Sequence, residues 1–231
     1  MLTFVGLGLF DGNDISVKGR ACIHAAEFVY LDGYTSRLMG ASVQDLELLY
    51  NKPVRVLSRE EVELHPEAML DAARSADVAF LVAGDPMVST THIDLRLRAA
   101  ERGISTTIIH GASIAGAVCG LTGLQNYRFG RSCSLPFPQK NWFPETPLQV
   151  IAKNLSLNNH TLVYLDIRQD RFMTIPEAVG ILETLALRMQ VSLPLYVGVA
   201  QAGSGMPVVG AGTADRIRTI DFGPPLHTLV V

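Results

Sequence analysis

Val78-Ala79-Phe80-Leu81-Val82-Ala83-Gly84-Asp85-Pro86-Met87-Val88-Ser89-Thr90-Thr91-His92 is the stretch that decides the fold of this chain. An apolar run ends in Gly-Asp-Pro, and a string of hydroxyl residues then opens a segment with helical spacing. This order predicts a buried parallel strand, a sharp turn and a helix N-terminus. The pattern recurs at residues 2–9 and 106–115. Because ligands of open α/β sheets bind at such strand ends, we expect three loops to converge on one small-molecule pocket.

The composition indicates a globular protein without charge-driven partners. The chain has 231 residues, of which 48% are hydrophobic and 18% charged, with a net charge of −3. This balance favours a sizeable core and no binding to nucleic acid or membrane. Residues 103–127 lack charge, but their Gly, Ser and Thr content argues against a membrane span. Three unpaired cysteines and the lack of a signal peptide indicate a cytoplasmic protein, and scattered histidines predict no metal site.

Alternating strand and helix patterns predict an α/β fold of two domains. Residues 1–111 should form an N-terminal α/β domain with a mainly parallel sheet, and residues 112–231 a C-terminal α/β domain with a mixed sheet. The Pro-rich stretch 127–147 is interpreted as a connector without regular structure. We predict strands at 2–7, 27–31, 54–57, 78–83, 105–109, 161–166, 195–200, 207–211 and 226–231, and helices at 15–25, 43–49, 59–75, 91–102, 113–121, 147–155, 176–189 and 213–219.

The first Gly-rich loop, Gly6-Leu7-Gly8-Leu9-Phe10-Asp11, argues against a dinucleotide site. The third glycine of the Gly-x-Gly-x-x-Gly fingerprint would fall at Asp11, whose carboxylate would repel a pyrophosphate. No Gly-Lys-Ser/Thr motif is present either, so a P-loop is excluded. Gly6 and Gly8 favour close approach of the backbone to an uncharged part of a ligand, with a purely structural turn as the alternative.

Asp85 and the hydroxyl residues after it are candidate ligand contacts. Gly84-Asp85-Pro86 could be a simple β-turn, but Ser89, Thr90 and Thr91 offer more hydroxyls than one helix cap requires. Because a strand-end loop carries few core contacts, we expect Asp85→Ala to change stability by only about 0.5 kcal/mol.

A serine hydrolase is a rival hypothesis. Residues 111–115 narrowly miss the Gly-x-Ser-x-Gly elbow, and Ser113, Asp166 and His227 follow in the order of α/β-hydrolases. Ser113 as a plain helix N-cap explains the same residue, and the oxyanion-loop glycines are missing. A non-catalytic binding module is the third hypothesis.

Motifs along nearly the whole chain resemble the tetrapyrrole-methylase superfamily of S-adenosylmethionine-dependent methyltransferases, and in particular its diphthine synthases. S-adenosylmethionine carries no phosphate, so Asp11 is compatible with this family. The motifs are Gly6-Leu7-Gly8-Leu9-Phe10-Asp11, Asp14-Ile15-Ser16-Val17-Lys18-Gly19, Tyr34-Thr35-Ser36, Arg55-Val56-Leu57-Ser58-Arg59-Glu60-Glu61-Val62-Glu63, the stretch 84–92, Ser113-Ile114, Asn141-Trp142-Phe143-Pro144, Leu165-Asp166-Ile167 and Pro224-Pro225-Leu226-His227.

The resemblance implies a homodimer in which each chain binds S-adenosyl-L-methionine in the cleft between two α/β domains. It implies methylation of the amino group of aminocarboxypropyl-histidine on translation elongation factor 2, a step toward diphthamide. A tetrapyrrole of the precorrin type is the alternative substrate. Carried over by position, the cofactor contacts are Leu9, Asp85, Val88, Ser113, Ile114, Leu165, Ala202 and His227.

No single catalytic side chain is predicted, because S-adenosylmethionine is intrinsically activated for methyl transfer. The base could be solvent, His92 or Asp166. Gln201 stands where the family commonly has a basic residue, which bears on substrate contacts. The chain stops within Leu229-Val230-Val231, where the family usually continues, so we expect a truncated form with altered packing at the dimer edge.

Overall fold

The computed structural model describes residues 1–140, 142–168 and 171–231. Asn141, the first residue of the Asn-Trp-Phe-Pro motif, lies outside the described residues. The chain folds into two compact units, Met1–Ile114 and Ala115–Val231. The domain limits at 111 and 112 stay a prediction.

The first unit is built on a five-stranded sheet in which every pair of neighbouring strands is parallel. Its strand order is 3-2-4-1-5. The mainly parallel sheet expected from the sequence is therefore confirmed. The strands are β1 (Leu2–Gly6), β2 (Phe28–Asp32), β3 (Arg55–Leu57), β4 (Val78–Val82) and β5 (Thr106–Ile109).

Both faces of this sheet are covered by apolar side chains. Phe4 of β1 and Phe80 of β4 belong to one core cluster, whereas their neighbours Val5 and Leu81 belong to another. Because successive strand residues point to opposite faces, a sheet buried on both sides needs continuous apolar runs. This requirement explains why the two central strands read as uninterrupted hydrophobic stretches.

Three helices of the first unit begin at serine N-caps, which are Ser16, Ser42 and Ser58. Ser42 and Ser58 each form a capping box with an acidic residue three positions later. The single helix predicted at 59–75 is wrong, because the segment is two helices separated at Leu64–Pro66. Pro66 has no N–H to donate and disfavours helical geometry at the preceding residue. The helices are α1 (Val17–Ala25), α2 (Val43–Tyr50), α3 (Arg59–Glu63), α4 (Glu67–Ser75) and α5 (His92–Glu101).

The second unit contains a mixed five-stranded sheet of order 11-10-12-7-6. Strands 6 and 7 are parallel, and the other neighbouring pairs are antiparallel. The mixed sheet is therefore confirmed. Its strands are β6 (Cys133–Leu135), β7 (Leu162–Leu165), β10 (Tyr196–Ala200), β11 (Val208–Gly212) and β12 (His227–Val230), and β8 (Ile167–Arg168) and β9 (Arg171–Phe172) form a separate two-stranded ribbon. The remaining helices are α6 (Ile114–Thr122), a 3₁₀ turn at Asn126–Arg128, α7 (Thr146–Ser156), α8 (Ile175–Met189) and α9 (Ala214–Arg218).

Two details of this unit differ from the expectation. The stretch 127–147 is not wholly irregular, because β6 lies within it and pairs with β7 from Cys133–Val163 to Leu135–Leu165. The β8–β9 ribbon was not anticipated either. Strands as short as β6, β8 and β9 depend on their pairing partners more than on local composition, so their sequences carry only a weak strand signal. Residues 201–207, which include Gly203-Ser204-Gly205, connect β10 and β11 as a hairpin, since Ala200 of β10 pairs with Val208 of the antiparallel β11.

Within the described ranges, none of the helices is both long enough and apolar enough to cross a membrane.

Candidate functional site

Three loops leave the carboxyl edge of the first sheet side by side. They follow β4, β1 and β5, which are adjacent in the sheet. The first two loops are joined directly, because the Gly84 N–H donates to the Gly8 carbonyl at 2.6 Å. The convergence of these loops, expected from the sequence, is therefore present. We call the loops 7–16, 83–91 and 110–113 the strand-end loops.

Glycines allow the backbones of the strand-end loops to touch. A Cβ atom on Gly6 would lie 2.5 Å from the Gly111 nitrogen and 2.7 Å from the Gly84 oxygen. A Cβ on Gly111 would lie 2.5 Å from the same Gly84 oxygen. The space at Gly6 is thus filled by neighbouring backbone and not by a ligand, which corrects the role expected for this residue.

The carboxylate of Asp14 occupies the amide groups of the Gly-Leu-Gly loop. Its Oδ2 accepts hydrogen bonds from the N–H groups of Leu9, Phe10 and Asp11 at 3.2, 2.7 and 3.4 Å. Successive backbone amides of this kind are what binds phosphate in nucleotide sites. Because the chain's own carboxylate fills them, this loop is not prepared for a pyrophosphate.

Asp85 ties two strand-end loops together. Its Oδ1 accepts from the Met87 N–H at 2.9 Å. Its Oδ2 contacts His110 Nδ1 at 2.7 Å and accepts from the Gly111 N–H at 3.3 Å. Asp85 is only 8% exposed, whereas the His110 side chain is 70% exposed. The expectation that Asp85 would behave as a surface residue is therefore wrong.

The other proposed contacts of the first unit lie on the same three loops. Leu9 and Val88 are half-buried, and the residue after Val88, Ser89, has a left-handed backbone with φ of 53°. Ser113 and Ile114 are also half-buried, at the point where the last loop enters α6. Each unit-one residue carried over from the family is thus placed at one edge of the sheet.

Two candidate bases are already engaged by protein groups. His92 is 1% exposed, with Nδ1 at 3.0 Å from the Pro86 oxygen and Nε2 at 3.3 Å from Asp32 Oδ2. In the second unit, Asp166 Oδ2 accepts from the Phe137 N–H at 2.8 Å and from Arg168 Nε at 3.1 Å. Neither residue is poised to abstract a proton from a substrate.

The proposed contacts of the second unit also share a sheet edge. β12 runs antiparallel between β10 and β7, so its first residue lies beside the carboxyl ends of both neighbours. His227 pairs with Ala200, and Thr228 pairs with Tyr164. Leu165 is the last residue of β7, and Ala202 lies two residues after the end of β10. Leu165, Ala202 and His227 are therefore grouped at one edge of the second sheet.

His227 is held as a neutral imidazole. Its Nδ1 accepts from the Ile175 N–H at 3.2 Å, and Nε2 faces the carbonyls of Gly223 and Pro224 at 3.1 and 3.2 Å. With its proton on Nε2, the neutral ring donates to these carbonyls and leaves Nδ1 free to accept from Ile175. Burial lowers the pKa of His227, although the two carbonyls favour the charged ring. Because its nitrogens face backbone groups and Asp166 serves Phe137 and Arg168, the Asp–His pair of a hydrolase is not formed.

Gln201 belongs to the same edge as His227. Its backbone is left-handed, with φ of 53°, and its N–H donates to the Leu226 oxygen at 3.0 Å. Its side-chain amide donates to the Pro224 oxygen at 3.4 Å. The residue that we expect to depart from the family pattern therefore braces the loop beside His227.

Sequence reasoning assigned no role to Asp14, Asp32 or His110. Each is a polar residue shortly after a predicted strand, and many turns share this signal. In the part of the chain that the structure describes, no group of three or more His, Cys, Asp or Glu residues is placed to hold a metal ion.

Comparison with known proteins places this geometry in context. The profile of a family described as Tetrapyrrole (Corrin/Porphyrin) Methylases matches residues 1–214. The diphthine synthase of Methanosphaerula palustris is 64% identical over 231 residues, covering 100% of this chain and 92% of the relative. The diphthine synthase of Methanoregula boonei is 61% identical with the same coverage. A crystal structure of diphthine synthase superposes with a TM-score of 0.92 at 44% identity, covering 100% of this chain and 88% of that chain.

We expect Asp85→Ala to destabilise the first unit by about 1–3 kcal/mol, because it removes hydrogen bonds that a carboxylate accepts from the partly buried N–H groups of Met87 and Gly111. The matched control is Asp94→Ala, which removes an exposed carboxylate paired with Arg98 and should cost less than about 1 kcal/mol. Urea unfolding of both variants measures the difference. Equal costs would mean that the Asp85 hydrogen bonds contribute nothing to the fold.

His227 should make stability depend on pH. Its pKa is lower in the folded protein than the ordinary value of 6.5, so the unfolded chain takes up the proton first as pH falls. The stabilisation is complete above about pH 6.5 and is lost as pH falls from there toward the folded pKa. Urea midpoints measured across this range should fall less in His227→Gln than in the wild type. The exposed His24→Gln should keep the wild-type slope, and a His227→Gln slope equal to it would refute the assignment.

Proposed function

This chain belongs to the tetrapyrrole methylase family, and from that membership we infer an S-adenosylmethionine-dependent methyltransferase of the diphthine synthase type. The reaction is methylation of the amino group of aminocarboxypropyl-histidine on translation elongation factor 2, within diphthamide biosynthesis. The observation that carries this conclusion is identity of 64% and 61% to diphthine synthases over the whole chain. Elongation factor 2 is the proposed protein partner.

The strand-end loops fit a cofactor without phosphate. Asp14 already fills the amide groups of the first loop, so an anionic pyrophosphate has no free donors there. S-adenosylmethionine, a nucleoside that carries a sulfonium and an amino acid, has no phosphate and does not require these donors. The residues proposed to hold S-adenosyl-L-methionine are Leu9, Asp85, Val88, Ser113 and Ile114 at the first edge, and Leu165, Ala202 and His227 at the second.

Positioning is the chemistry that this chain's residues are proposed to supply. When bound, S-adenosylmethionine supplies a methyl group that is already activated for displacement. Asp85, His92, Asp166 and His227 are each held by protein partners, so none is assigned as a base. The loops instead bind the cofactor, align it with the substrate amine and exclude water.

The remaining features of the proposal concern assembly and location. The family resemblance supports a homodimer, and the unpaired cysteines Cys22, Cys119 and Cys133 support a cytoplasmic enzyme. A precorrin-type tetrapyrrole is the competing substrate, because the family description itself names tetrapyrroles.

Titration calorimetry should detect binding of S-adenosylhomocysteine and no comparable binding of NAD or ATP. The physical reason is that the loop amides are occupied by Asp14 and cannot receive phosphate. NAD binding without any response to S-adenosylhomocysteine would contradict the methyltransferase assignment.

Labelled S-adenosylmethionine should transfer its methyl group to elongation factor 2 that bears the aminocarboxypropyl-histidine precursor. Elongation factor 2 with an unmodified histidine is the matched control and should stay unlabelled, because it lacks the acceptor amine. Mass spectrometry of the modified peptide locates the label. Label on a precorrin and none on the protein would support the competing substrate.

A further inference from the structure

A buried acid–base pair lies beneath the loop that contains Asp85. Asp32, the last residue of β2, is 2% exposed, and His92, the first residue of α5, is 1% exposed. Asp32 Oδ2 and His92 Nε2 are 3.3 Å apart, which is an ion-pair distance, although their alignment falls outside hydrogen-bond geometry. Burying such a pair is costly unless its geometry is well supported. The proposed reaction uses neither residue, so the pair requires another explanation.

The pair connects the segment after β2 with the loop after β4 through a defined chain of contacts. Asp32 Oδ1 accepts from the N–H groups of Tyr34 and Thr35 at 2.9 and 3.0 Å. Burial opposes ionisation of Asp32, but the adjacent His92 and the hydrogen bonds from Thr35 and Tyr34 outweigh it and lower the pKa of Asp32. His92 Nδ1 lies 3.0 Å from the Pro86 carbonyl oxygen. Since a carbonyl can only accept, Nδ1 must carry the hydrogen.

Aromatic packing fixes the His92 ring in this orientation. The ring centroid lies 5.1 Å from that of Phe80, edge to face, and 6.4 Å from that of Phe4. A buried ring with one nitrogen on Pro86 and the other on Asp32 cannot turn without losing both contacts. Asp32 therefore acts on Pro86 through His92.

The loop that receives this contact needs external support. Gly84 and Ser89 both have left-handed backbones, with φ of 80° and 53°, and for serine this conformation is strained. Asp85 fastens the loop to the segment after β5, and His92 fastens Pro86 to the segment after β2. The loop is thus held by segments that follow strands on either side of β4 in the sheet order.

We propose that Asp32 and His92 are positioning residues for cofactor binding, which hold the Pro86 carbonyl and thereby the backbone from Asp85 to Val88. The proposal rests on the proposed function, because it assumes that this loop contacts S-adenosylmethionine. The pair contributes to affinity by fixing the loop before the ligand arrives.

Variants of the pair separate positioning from folding. Asp32→Asn keeps an oxygen for Tyr34 and Thr35 and offers an N–H to a neutral His92, so we expect affinity within about threefold of the wild type. Asp32→Ala removes the support, and Asp32→Asn with His92→Phe removes the bond to Pro86 without leaving an unpaired charge. Both should raise the Kd for S-adenosylhomocysteine about tenfold. Asp32→Ser, too short to reach His92, replaces Asp32→Ala if that variant does not fold.

Ile104→Ala is the matched control. Ile104 belongs to the same core cluster as Phe4 and Phe80, which pack against His92. It precedes β5, so it lies at the amino ends of the strands, away from the strand-end loops. Calorimetry on folded protein should give it wild-type affinity. Wild-type affinity in Asp32→Ala and in the double variant, or an equal loss in Ile104→Ala, would overturn the proposal.

Hydrogen exchange of the unliganded protein tests the same role without the cofactor. Amides of Met87 and Val88 should exchange faster in Asp32→Ala and in the double variant than in Asp32→Asn. Unchanged exchange would overturn the positioning role. Absence of S-adenosylhomocysteine binding by the wild type, with exchange still altered in the variants, would instead overturn the proposed function.

Discussion

The close approach of three glycine backbones, Gly6, Gly84 and Gly111, is the constraint on which the candidate site depends. Any side chain at Gly6 or Gly111 would overlap main-chain atoms that cannot move aside as a flexible side chain could. The loops after β1, β4 and β5 can therefore pack as one layer only with glycine at these positions. The positions of Leu9, Asp85 and Ser113 follow from this packing.

Carboxylates of the chain itself complete the layer. Asp14 binds the amides of the first loop, Asp85 joins the second loop to the third, and Asp32 supports the second through His92. Charge-assisted hydrogen bonds from backbone N–H groups are stronger than neutral ones, so few are needed to hold irregular backbone. The first of these acids supports the proposed preference for a cofactor without phosphate, because the amides of Leu9, Phe10 and Asp11 already have an acceptor in Asp14.

In the second unit, a neutral histidine holds the backbone at the edge of the sheet. His227 accepts from the first residue of α8 and donates to the loop before β12, while Gln201 braces the same loop from the end of β10. An imidazole can do both tasks because its two nitrogens differ once one carries the proton. Residues that resemble catalytic groups in the sequence therefore serve here to place backbone, in keeping with a reaction in which alignment is the protein's main contribution.

The sequence by itself determined the α/β class, both sheet types, most element positions, the convergence of the three loops and the family. These features depend on local periodicity, on Gly and Pro, or on motifs such as Gly84-Asp85-Pro86 that remain visible in one dimension. Only the tertiary structure decided that β6 is a strand, that Asp85 is buried against His110 and that His92 faces Asp32. Each depends on a partner far along the chain, as with Asp85 and His110, which are 25 positions apart. Composition and spacing carry no information on such partners, because the fold alone brings the two atoms within hydrogen-bond distance.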